Sequence, residues 1–173
     1  LAKNGFNAHN YGGIHIHVSR NAISDDQLAK LIMLLYPKTN KVYEQWLAIT
    51  QRKERKMEEW STMDPDSLDY GKKDTIERAK AGYRKINDEK RYHAINTQNT
   101  NTIEFRIFNS NLRIERITKN AEVIFSLLDF TNTSKLPTMT NYLNFVCENK
   151  EKYMYLYNFL LEKKIWQSKE QKE

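Results

Sequence analysis

The stretch GGIHIHVSR, Gly12 to Arg20, decides how this chain is read. Aliphatic residues alternate with imidazoles, and side chains of an extended strand alternate between its two faces. One face therefore carries Ile14, Ile16 and Val18, and the other carries Gly13, His15, His17 and Ser19. A second stretch has the same design. In TIEFRIF, Thr102 to Phe108, alternation predicts Ile103, Phe105 and Ile107 on an aliphatic face and Thr102, Glu104, Arg106 and Phe108 opposite them. Two strands that each set a core face against ionisable groups predict polar faces sharing one cavity.

The residue types define what such a cavity can do. Imidazole and carboxylate are donors for a divalent cation, and the planar fork of arginine suits a phosphate or a carboxylate. Simpler readings stay open for each strand alone. A His-x-His pair also serves by facing solvent or by satisfying core carbonyls, and Glu104 with Arg106 also fits a cross-strand ion pair on an exposed sheet face.

The surrounding chain sets the scale. Its 173 residues suffice for a single domain with a real core, and 39% hydrophobic against 29% charged residues places it among globular chains. No run approaches the ~18 apolar residues of a membrane span. The opening LAKNGF has neither an initiator methionine nor the apolar core of a signal peptide. It reads as an interior cut, so residues 1–173 are expected to be a single domain or the C-terminal part of a larger catalytic domain. The lone Cys147 has no internal disulfide partner and is expected as a small core residue. The net charge of +6 is scattered. Its densest patch, QRKERKMEEW, mixes Arg52, Lys53, Arg55 and Lys56 with Glu54, Glu58 and Glu59, which reads as the solvated face of a helix. No nucleic acid partner is expected.

Between and beyond the two strands the pattern is helical. SDDQLAKLIMLLYP predicts a helix capped by Ser24 and ended by Pro37, with Leu28, Leu31, Ile32 and Leu35 on one face. Asn40 is placed as the cap of a second helix, with Val42, Trp46 and Ile49 buried and a charged continuation to Trp60. The turn-rich segment from Ser61 to Asp74 predicts a mobile loop, its part around Asp64 to Asp74 is expected to select an acceptor substrate, and TIERAKAGYRKI after it predicts a helix. Arg91 to Asn96 and Thr102 to Phe108 read as neighbouring strands around the polar link TQNTN. Three helices follow, with Ile114, Ile117, Ala121, Ile124 and Leu128 sharing a face of the first, and Tyr153, Leu156, Tyr157 and Leu160 lining the last. The sum is an α+β domain: a small, mostly antiparallel sheet with a polar active face, covered by several helices.

GGIHIHVSR followed by RYHAINTQNTNTIEFRIF resembles the amidoligase family, found in phages and in bacterial and fungal gene clusters. It is similar, behind that, to the glutamine synthetase and glutamate–cysteine ligase superfamily, which shares a Gly-x-His-x-His-x-Ser strand and a later Glu-x-Arg strand. The resemblance runs in order through nearly the whole chain and is sharpest in those two blocks. It implies a phage-type member with a glutamine synthetase-like catalytic domain, incomplete at its N-terminus. The implied reaction is ATP-dependent ligation of a carboxylate and an amine, small-molecule or peptide, through an acyl phosphate. By the resemblance, His15 and Glu104 are ligands of a Mg²⁺ or Mn²⁺ ion that bridges the ATP phosphates. His17 and Ser19 lie beside those phosphates, and Arg106 steadies the transferring phosphoryl or the substrate carboxylate. Arg91 is a further phosphate contact, followed by Asn96. The implied location is the cytoplasm, that of the host for a phage protein.

Two departures from the superfamily pattern matter. Thr102 stands where glutamine synthetases carry an arginine, and the glutamates that complete the metal site in related enzymes precede the histidine strand, where this chain offers no Asp or Glu. The expectation is that an upstream segment of the same protein completes the sheet and the metal site, and that this chain alone has little ligase activity. The competing reading is a non-catalytic binding or structural protein that retains the fold. A metal-dependent hydrolase or nuclease using His15, His17 and Glu104 would share the residues but lacks the further carboxylates of such sites.

Overall fold

A computed structural model of the protein describes residues 12–37, 39–63 and 92–166. The first strand is β1 (Gly13–Ser19), followed by a 3₁₀ turn and helices α1 (Asp25–Leu35), α2 (Asn40–Thr50) and α3 (Glu54–Trp60). Strands β2 (Ile95–Asn96) and β3 (Thr102–Asn109) come next, and α4 (Ile114–Thr133), α5 (Met139–Glu148) and α6 (Met154–Glu162) follow. The fold is α+β, with an antiparallel three-stranded sheet in the order β1-β3-β2. The predicted loop around Asp64 to Asp74, the helix after it and Arg91 lie outside the described residues.

Helix α1 forms as its sequence dictates. The Ser24 side chain accepts from the Gln27 amide while the Gln27 side chain accepts from the Ser24 amide, a reciprocal pair that satisfies two donors of the first turn. Its apolar face buries Leu28, Leu31, Ile32 and Leu35. Helix α2 departs from expectation at both ends. Thr39 rather than Asn40 is its N-cap, and the helix stops at Thr50 because Gln51 takes a left-handed conformation, φ 58°. The charged continuation is therefore a separate helix, α3, and the turn between them sends Arg52 inward. Arg52 is only 7% exposed, which corrects its reading as part of a solvated charged face, while Arg55, Glu58 and Glu59 do face solvent.

The sheet also corrects the alternation rule. Ile16 stands opposite Phe105 and Ile14 opposite Phe108, so two steps along β1 match three along β3. The extra residue is a bulge in β3 after Phe105, and it moves Phe108 onto the face of Ile14. Phe108 is fully buried in the core rather than lining the polar face beside Glu104 and Arg106. The strand expected from Arg91 shortens, within the described residues, to Ile95–Asn96, and a parallel bridge between Thr62 and His93 brings the chain after α3 alongside it.

One core unites sheet and helices, with Phe105 and Phe108 from β3 in the same cluster as Ile32 and Leu35 of α1, Trp46 and Ile49 of α2, and Leu127 of α4. Trp46 stacks on Tyr142 at 5.8 Å and donates its indole N–H to the Leu34 carbonyl at 2.9 Å. That bond satisfies the polar atom of a fully buried ring. In α4 the buried stripe runs through Lys119, Val123, Ile124, Leu127 and Phe130, and Ile114, expected on the apolar face, is exposed. Cys147 is half-buried rather than a full core residue, and burial pushes its thiol up to about 11. Among the described residues no helix is long and apolar enough to cross a membrane.

Candidate functional site

Glu104 sits at the middle of the three strands. Its register partner on β1 is His17, and on β2 it is Asn96. Cross-strand partners share a face, so backbone pairing alone gathers a carboxylate, an imidazole and an amide. His15, two residues along β1 on the same face, leans to the same point. Its Nδ1 is 2.7 Å from Glu104 Oε1, and His17 Nε2 is 3.8 Å from that oxygen. Arg106, two residues along β3, donates from Nη1 to Oε1 at 3.0 Å, while Asn96 donates from Nδ2 to Oε2 at 2.7 Å. The Gln98 amide donates to Asn96 Oδ1 at 3.0 Å, which orients the Asn96 amide so that its NH₂ meets the carboxylate.

The two opening strands thus share their polar faces, as alternation predicts. His15, His17, Glu104 and Arg106 converge. Ser19 is paired with Thr102 further along the same face, and the Thr102 hydroxyl is 3.3 Å from His17 Nδ1. Asn96, ranked last from sequence, is a direct partner of Glu104. Arg106 is further held by its neighbours: Nε faces the Trp60 carbonyl at 3.5 Å, and the guanidinium lies 5.8 Å from the Tyr92 ring centre. Tyr92 is in turn packed edge-on against Trp60 at 5.2 Å.

Burial, the charge of Arg106 and that of Arg52 lower the pKa of His15, outweighing the opposite pull of Glu104. The imidazole is therefore neutral near pH 7. With Nδ1–H donating to the carboxylate, Nε2 keeps its lone pair, the state in which an imidazole serves as a ligand or proton acceptor. Burial raises the pKa of Glu104, but the Asn96 hydrogen bond, Arg106 and the two histidines together hold it below the usual carboxylate range. Glu104 is therefore ionised near pH 7.

Sequence reasoning missed Arg52. It comes from the turn after α2, 52 positions before Glu104, and donates from Nη1 to the carbonyls of Arg106 at 2.6 Å and Phe108 at 3.2 Å. Its position in a run of mixed charges hides it, because burial of one arginine in such a run leaves no periodic signal. Two guanidiniums thus act on His15 against a single carboxylate, a balance that favours an anion at this face of the sheet.

As a metal site the donors are right in kind, two imidazoles and a carboxylate, but both carboxylate oxygens are already engaged. Glu104 Oε1 is shared by His15 and Arg106, and Oε2 by Asn96. Among the described residues no group of three or more His, Cys, Asp or Glu side chains is arranged to hold a metal ion.

Residues 1–128 match a family model described as "putative amidoligase enzyme". The match spans every candidate site residue and ends within α4, before α5 and α6 begin. No curated protein and no solved structure matches the chain.

Proposed function

The chain belongs to the amidoligase family, and from that premise we propose that it joins a carboxylate to an amine with ATP. The observation that carries this reading is the convergence of His15, His17 and Arg106 on the Glu104 carboxylate. In the proposed reaction a carboxylate oxygen attacks the γ-phosphorus of ATP, giving an acyl phosphate and ADP. The amine then attacks the acyl carbon, phosphate leaves with the electrons of the C–O bond, and the amine loses a proton. A carboxylate is a poor electrophile, and phosphorylation supplies its leaving group. The protein's task is to position the reactants and offset charge on the phosphoryl oxygens.

Arg106 presents a guanidinium whose orientation is fixed by Glu104, and it would steady the transferring phosphoryl group or the substrate carboxylate. His17 and Ser19, on the same face, would line the nucleotide phosphates, with Arg91 as a further phosphate contact. His15 through Nε2 and Glu104 are the residues of this chain that would hold a Mg²⁺ or Mn²⁺ ion. That ion would supply charge neutralisation on the phosphates. Further acidic ligands would come from an upstream segment of the protein, for which β1, an edge strand among the described residues, offers a strand to pair with.

Calorimetric titration with ATP in the presence and absence of Mn²⁺ tests the reading, on this chain and on a version extended at its N-terminus. Binding should require Mn²⁺, be tighter in the extended protein, and vanish in His15→Ala and Glu104→Ala. Nucleotide binding that survives both substitutions would detach the reaction from this face of the sheet. An absence of binding in both chains would leave a fold that has kept its polar strand without ligase chemistry.

A further inference from the structure

We propose that Arg52 is a positioning residue for this site: its guanidinium passes beneath Gly13, holds the bulge of β3 in place and so fixes how Arg106 and Glu104 stand on the polar face of the sheet. The consequence for turnover rests on the ligase reading above; the structural role does not.

The bulge creates the need. Where two steps of β1 face three of β3, the ladder between the strands is interrupted and some carbonyls of β3 lose their regular partners. Arg52 Nη1 meets the carbonyls of Arg106 and Phe108, on either side of Ile107, at 2.6 and 3.2 Å. From the opposite edge, the Arg106 amide donates to the Ala94 carbonyl at 3.0 Å. The backbone of Arg106 is therefore pinned at its nitrogen by β2's neighbour and at its carbonyl by Arg52. Its side chain leaves the strand from a fixed base.

Space for this arrangement comes from Gly13. A Cβ there would lie 2.9 Å from Arg52 Nη1 and 3.2 Å from the Phe108 carbonyl. The second contact is with backbone, so an alanine would be accommodated mainly by displacing the guanidinium. The glycine that opens the histidine strand and the arginine 39 positions later are thus two halves of one device.

The cost of the arrangement argues that the geometry matters. Among the described residues Arg52 has no carboxylate within ion-pair distance, although it is almost fully buried. A buried guanidinium satisfied only by carbonyls is costly to desolvate, and an apolar side chain of similar volume would fill the same space at lower cost. What an apolar side chain does not supply is the pair of donors that closes the bulge.

The test reads Arg106 directly. In ¹⁵N-labelled protein its Nε–H resonance is assigned by its loss in Arg106→Lys. The wild-type resonance should be dispersed and slow to exchange, and should move toward the free-arginine position in Arg52→Met and in Gly13→Ala. Arg52→Lys, which keeps a donor, should restore part of the shift. The double variant Gly13→Ala/Arg52→Met should differ from Arg52→Met by nothing further, because both substitutions remove the same contact. Should Arg52→Met fail to fold, Gly13→Ala, an exposed and minimal change, decides the matter. An unmoved Arg106 resonance in either folded variant, or additive shifts in the double variant, overturns the proposal. Ligase turnover, where present, should fall about a hundredfold in kcat with little change in KM, as expected for a misplaced reacting group. An N-terminally extended wild-type protein without turnover would count against the ligase reading and leave the resonance to decide the role of Arg52.

Discussion

Arg52 and Lys119 are both almost fully buried and both donate to backbone carbonyls, one to the sheet and one to the end of α2, yet the protein treats their charges in opposite ways. Arg52 reaches Arg106 and Phe108 from just beyond the helix, and Lys119 reaches the Ile49 carbonyl in its last turn at 2.6 Å. Lys119 Nζ lies 4.6 Å from the centre of the Phe159 ring and 5.6 Å from that of Phe108. Burial, helped by the charge of Arg116, brings the Lys119 ammonium down to about 7. A lysine can shed its proton and still donate an N–H to Ile49; a guanidinium keeps its charge at every accessible pH. The helical side thus carries a conditional charge among aromatic rings. Beside the candidate site the charge is permanent, and it adds to burial and Arg106 in lowering the pKa of His15.

Phe108 touches both halves of this comparison, since its carbonyl accepts from Arg52 and its ring faces Lys119. Phe108→Ala should therefore be the most damaging change, destabilising the protein by about 3–5 kcal/mol in urea unfolding as a large buried ring is lost. A cost below about 1 kcal/mol would put the ring back on the solvated face, as strict alternation has it, and remove the bulge from the account. Glu104→Gln breaks only the sheet side. It leaves the largely buried Arg106 without its carboxylate and should cost about 3 kcal/mol, at the lower end of the range for such pairs because their edges reach solvent.

Lys119→Met isolates the other side. Unfolded, Lys119 holds its proton up to its ordinary value of 10.5, and folded only up to about 7. Between those values the unfolded chain binds more protons, so wild-type stability should rise with pH. The slope should approach about 1.4 kcal/mol per pH unit from pH 7 to 9. The Met variant should lack that slope. Parallel lines for the two proteins would mean that Lys119 stays charged when buried, and the contrast with Arg52 would collapse. The smallest effect on stability belongs to Gly13→Ala, which should shift the Arg106 resonance while moving the melting temperature by only a few degrees.

Much of this site was legible in the sequence because strand alternation is a local rule. Once β1 pairs antiparallel with β3, the polar positions of both strands meet, and His15, His17, Glu104 and Arg106 need no further information to converge. Asn96 was harder to weigh: its role depends on which Glu104 oxygen it meets, and the pairing of β2 with β3 sets that. Arg52 was not legible at all. Its burial follows from the left-handed turn at Gln51, and neither a glycine nor a proline marks that turn. The buried stripe of α4 was misread in part for a related reason. Tertiary packing around α2 and α6 drew Lys119 inward and left Ile114 exposed, while Ile124 and Leu128 pack on the core as hydrophobicity has it.

By itself, then, the sequence determined the α+β class, the polar faces of the two strands and the capped helix that follows the first. These depend on spacing between near neighbours, which a chain cannot hide. Only the tertiary structure decided where β3 gains its extra residue, which arginine closes that gap and which buried cations, among the described residues, go without a carboxylate. Each of these is a contact between segments tens of residues apart. The energy that selects it exists only after the core around Phe105 and Phe108 has formed.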